Sequence, residues 1–140
     1  MPTTWKMLRW TTLHIPTCRP LPVFLASDEH EPALAKDHPT GGETGGLLCF
    51  GSWRLLVWAG LPRKDYARII IHEIVHSILS DVPRRTLNNG TEESVAMALD
   101  ASVPSVLARW GWTLPELPDG WRSLAAHARH QRYGRKQREE

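Results

Sequence analysis

Cysteine is nearly absent: Cys18 and Cys49 are the only two in 140 residues, and they do not form a C-x-x-C pair. That spacing excludes a cysteine-built zinc knuckle. With no secretion signal they are expected to be reduced, partly buried thiols rather than a disulfide. Long apolar runs are also missing, since no stretch approaches the roughly 20 residues needed to span a bilayer. The start, Met-Pro-Thr-Thr-Trp-Lys, has neither the charged opening nor the apolar block of a signal peptide. The expectation is a cytoplasmic protein with no membrane partner. Excess charge is small too: 17 Lys and Arg against 15 Asp and Glu give a net charge of +2. That argues against a chain built mainly to bind nucleic acid. What remains, 41% hydrophobic and 23% charged residues, is the balance of one globular domain.

The informative stretch is 69–79, Ile-Ile-Ile-His-Glu-Ile-Val-His-Ser-Ile-Leu. On a helix, His72 and His76 lie one turn apart on one face, close enough to share a metal ion. Glu73 sits at the edge of that face. This is the H-E-x-x-H arrangement, in which two imidazoles hold Zn²⁺ and the carboxylate acts as base on a metal-activated water. The apolar residues around it, from Ile69 to Leu79, predict a buried helix. Buried imidazoles and carboxylates need partners. Core hydrogen bonds would satisfy them one at a time, whereas a metal accounts for all three together.

Around this stretch the chain reads as follows. Residues 5–15 suit a strand or a short helix equally. Pro16, Pro20 and Pro22 limit the next strand to Val23–Ala26. From Ser27 to Gly46, charges, Pro and Gly predict a polar loop or mobile flap; His30 and His38 fall in it without a ligand spacing. Leu47–Phe50 and Trp53–Trp58 read as a hairpin around Gly51-Ser52. Pro62 and Asp65 suit the start of the motif helix, which Val82-Pro83 ends.

A catalytic zinc site needs a third protein ligand. After the Asn88-Asn89-Gly90 turn, Thr91 is a good N-cap for a helix opening Glu92-Glu93. Apolar residues at 95, 99, 103 and 106 suggest the inward face. Glu92 shares that stripe and Glu93 points about 100° away, so Glu92 is favoured and Glu93 is the competitor. Acidic residues also favour a first helical turn without any metal. Asp100 could orient a histidine or be a plain surface residue. Pro104 should kink or divide this helix before Gly111. A last helix from Trp121 carries Arg122, Arg129, Arg132, Arg135, Lys136 and Arg138. A solvated basic tail is the simpler reading, with docking on a partner or nucleic acid as the other.

The motif run, a variable loop, Glu-Glu-Ser-Val, an apolar helix and Arg-Trp-Gly-Trp together resemble the small metallopeptidases of bacteriophages and prophages. These are minimal zincins, distantly similar to the ImmA/IrrE group. The resemblance covers about Trp53 to Trp112. It implies an α+β, minimal zincin-like domain: a small antiparallel or mixed sheet packed on the H-E-x-x-H helix and a following ligand helix. The first 46 residues and the tail are outside the resemblance; from the sequence itself, 1–120 are expected to form the single domain, with a flexible loop at 27–46, and 121–140 a basic helix or tail. The resemblance further implies His72 and His76 as zinc ligands, Glu92 or Glu93 as the third, Glu73 as catalytic base, a protein or peptide substrate, and a site of action in the cytoplasm, the host's if the chain is phage-encoded. The ImmA/IrrE pattern has Glu-x-x-Ala-Asn at the third ligand, whereas here Met97 follows Ala96, which supports Glu93 without fixing the register. The competing class is a non-catalytic, zinc-stabilised binding or regulatory protein that docks through its basic tail.

Overall fold

The computed structural model describes residues 6–14, 19–31, 34, 45–49, 51–80, 89–111 and 113–139. Its elements are β1 (Leu8–Leu13), β2 (Leu21–Ala26), β3 (Gly46–Cys49), β4 (Arg54–Trp58), a short 3-10 turn (Arg63–Asp65), α1 (Tyr66–Ser80), α2 (Asn89–Arg109) and α3 (Trp121–Glu139). This is an α+β fold. The strands form one sheet in the order β1-β2-β4-β3. Because β2 and β4 are parallel and the outer pairs antiparallel, the sheet is mixed. The chain divides into two compact units, one holding Met1–Leu61 with Glu116–Glu140 and the other Pro62–Pro115. α3 falls in the unit that holds the strands, and the helix pair forms the other.

In the strand unit, Leu21, Val23 and Leu25 alternate fully buried with half-buried Pro22 and Phe24, the period-two pattern of a strand. The strand starts two residues earlier than expected. Pro22 is accommodated because pairing with β4 begins only at Val23, leaving Pro22 paired with Thr12 of β1 alone. β4 lies between two neighbours, and Leu55, Leu56, Val57 and Trp58 are all buried. Residues 5–15, ambiguous by period, supply strand β1, with a register shift between Arg9 and Thr11 beside buried Trp10. Cys49 is a free, half-buried thiol, and Cys18 lies outside the described residues.

The basic C-terminal segment is not simply solvated. Leu124, Ala125, Ala128 and Arg132 make the buried stripe of α3. Arg132, 3% exposed, donates to both carboxylate oxygens of Asp28 and to the Leu34 carbonyl, and its guanidinium lies 3.6 Å from the Trp58 ring centroid. Arg129 donates to the Gly60 carbonyl at 2.8 Å. Within the loop expected at 27–46, Ser27, Asp28 and Leu34 are buried. Residues 32–33 and 35–44 of that loop lie outside the described residues.

The second unit is the pair α1 and α2, packed on each other. Pro62 precedes the 3-10 turn that leads into α1. On α1, Ile70, His72 and Val75 are buried while Ile69, Ile71 and Ile74 are half-buried, so the apolar girdle expected from sequence is only partly covered among the described side chains, which leave out Ile78 and Leu79. α2 begins at Asn89, which places Thr91 inside the first turn instead of at the cap. It also runs unbroken through Pro104. The proline removes one N–H from the ladder, and the helix continues past it to Arg109. Gly111, at φ 84°, ends it as expected.

Candidate metal centre

The four-residue spacing on α1 puts the imidazoles of His72 and His76 on one face, with ring centroids 4.9 Å apart and their Nε2 atoms 3.3 Å apart. From α2, Glu93 reaches both. Its Oε2 lies 2.9 Å from His76 Nε2 and its Oε1 lies 3.1 Å from His72 Nε2. Of the two acidic candidates it is Glu93 that the structure brings to the histidines, while the side chain of Glu92, favoured on periodicity, lies outside the described residues. The apolar stripe taken as inward explains the difference. Of its four residues, Leu99 and Val106 are 38% and 45% exposed and Val95 and Val103 are half-buried, whereas Ala96 is fully buried. The α1-facing stripe of α2 is therefore Glu93, Ala96 and Asp100, with polar residues around one small alanine.

Asp100 completes the cluster, its Oδ2 lying 2.7 Å from His72 Nδ1. An ionised carboxylate only accepts hydrogen bonds, so a carboxylate in this place would take its proton from His72 Nδ1. Its Nε2 is thereby left as the nitrogen facing His76 and Glu93. Side-chain exposures of 11% for His72 and 12% for Asp100 against 24% for His76 show which end is closed and which is open. Glu73 is half-buried on α1, one residue after His72 and three before His76.

The donor set fits a metal ion. One ligand atom from each of His72, His76 and Glu93 can be chosen with all three within 4.8 Å of one another. Tetrahedral zinc with bonds of about 2.0–2.2 Å places its ligand atoms roughly 3.3 Å apart. The two Nε2 atoms are 3.3 Å apart, close to that, and Glu93 meets each with a different carboxylate oxygen, Oε2 at 2.9 Å from His76 and Oε1 at 3.1 Å from His72. Two imidazoles and a carboxylate are also a ligand set used in catalytic zinc sites, where the fourth position stays open. Without a cation, three electron-rich atoms would converge on one point, and only protons could relieve them.

Of the polar groups elsewhere in the chain, His127 Nε2 pairs with Glu29 Oε1 at 3.0 Å, Tyr133 packs edge-on to Trp58, and Tyr66 is buried. His30, in the polar loop, takes a hydrogen bond on Nδ1 from the Ser27 backbone. Sequence reasoning missed Arg132 with Asp28, a pair 104 residues apart for which no local pattern gives a signal. No helix among the described residues is long and apolar enough to cross a membrane. No family model, curated protein or solved structure matches this chain.

Proposed function

We propose that this chain is a zinc-dependent metallopeptidase of the minimal zincin type, akin to the small enzymes of phages and prophages, that hydrolyses a protein or peptide in the cytoplasm. One observation carries the reading: the two histidines of an H-E-x-x-H helix and a glutamate of the next helix converge at ligand-to-ligand spacing. His72, His76 and Glu93 would hold the ion. When bound, zinc supplies a Lewis acid for the scissile carbonyl and lowers the pKa of a coordinated water towards about 7.

The remaining work falls to the chain's own side chains. Glu73, the residue after the first ligand, takes the proton from the attacking water and returns it to the leaving amine. Asp100 holds His72, and the exposed side of His76 is where substrate enters. Hydrolysis of a mixed peptide library by the zinc-loaded chain, and its loss in Glu73→Gln, tests this; an equally active Glu73→Gln chain overturns it.

The reading as a non-catalytic, zinc-stabilised protein docking through a basic tail has less support. Arg132 is consumed by Asp28 and Trp58, and Arg129 by the Gly60 carbonyl. A catalytic ligand set also differs from the four-coordinate, cysteine-rich sites typical of structural zinc.

A further inference from the structure

We propose that Asp100 is a positioning residue that sets the tautomer of His72, so that α2 supplies one ligand of the metal centre and also aims another. This rests on the zinc reading given above. Glu93 and Asp100 are seven residues apart, two helical turns less about 20°, and so share one stripe. Between them Ala96 is fully buried, and its small side chain lets α1 come close enough for both carboxylates to reach the same imidazole. Glu93 approaches His72 at Nε2 (3.1 Å) and Asp100 at Nδ1 (2.7 Å).

The direction of the Asp100 contact has a chemical consequence. Free neutral histidine favours the proton on Nε2, the tautomer that would aim an N–H at the metal position. A carboxylate at Nδ1 accepts only, so it draws the proton to the far side of the ring and leaves the Nε2 electron pair facing His76 and Glu93. The short distance and the 12% exposure of the Asp100 side chain protect that contact from water. His76 is the more exposed of the two histidines, at 24%. The two ligands are therefore unequal, His72 locked from behind and His76 on the open side.

The test uses the full chain labelled with ¹⁵N-histidine, with Zn²⁺ alone as the probe. Long-range ¹H–¹⁵N spectra are recorded without metal, and zinc affinity is measured by competition with a chromogenic chelator for wild type and Asp100→Asn. The expected results are an Nδ1–H signature for His72 in the wild type, lost in Asp100→Asn, and zinc affinity about 10- to 100-fold weaker in the variant at unchanged helix content. His72 carrying its only proton on Nε2 in the wild type overturns the proposal, as does a folded Asp100→Asn chain with wild-type zinc affinity. Should Asp100→Asn fail to fold, the wild-type tautomer decides alone. A wild-type chain that binds no zinc sinks the peptidase reading, while the His72 tautomer in the same sample still decides the role of Asp100.

Discussion

His72 and His76 stand on successive turns of α1 with their Nε2 atoms 3.3 Å apart, and Glu93 closes the triangle from α2. One ligand atom from each could hold a metal ion. The zinc-binding and catalytic contributions should therefore separate cleanly by mutation.

Glu73 lies outside the triangle. Glu73→Gln should retain zinc at the wild-type ratio and the wild-type helix content, while peptide hydrolysis falls by about 10²- to 10⁴-fold, the usual contribution of a general base. Parallel metal analysis and kinetics on the same preparation check this, and a variant that loses zinc would make Glu73 a ligand instead.

Ala96 sits between Glu93 and Asp100 on the face of α2 turned to α1. Ala96→Leu should overpack that seam, costing about 1–3 kcal/mol of stability and weakening zinc binding by pushing both carboxylates back. Val106→Ser, on the exposed stripe, should stay within about 0.5 kcal/mol of wild type. Urea titration of the two variants measures the contrast.

That contrast also marks where the sequence was legible. The H-E-x-x-H spacing is a local property of one helix and could be read directly. Which glutamate of α2 meets the two histidines was harder, because hydrophobic periodicity marks the buried face only when that face is apolar. On α2 the buried stripe carries Glu93 and Asp100, and the apolar residues Leu99 and Val106 lie elsewhere. Asp100 was visible through helical spacing as a residue that could orient a histidine, yet which histidine was not. The β4 strand, the Gly51-Ser52 turn and the Gly111 helix stop followed from local propensity. Pro22 inside β2 did not, since sheet order overrides the local rule, and neither did Pro104 inside α2.

Arg132 and Asp28 are a buried pair, each side chain 4% exposed. Arg132→Ala should destabilise the strand unit by about 3–5 kcal/mol, because it leaves the Asp28 carboxylate buried without its cation. Asp28→Asn with Arg132→Met together should cost less than the single change. Denaturant unfolding of the three chains checks the order, and an Arg132→Ala chain as stable as wild type would contradict the buried pairing.

Gly60 has the Trp58 ring within 2.5 Å of where a Cβ would stand. Trp58 is itself stacked on Arg132 and edge-on to Tyr133, so it has little freedom to move aside. Gly60→Ala should lower stability by about 1–3 kcal/mol, read as a lower unfolding temperature together with a changed tryptophan emission.

The most direct measurement is the zinc content of the purified full chain, by elemental mass spectrometry, beside His76→Ala. About one zinc per wild-type chain, lost in His76→Ala while helix content is kept, is the predicted result. A folded wild-type chain that holds no zinc even after it is supplied would contradict the metal centre and the peptidase reading with it.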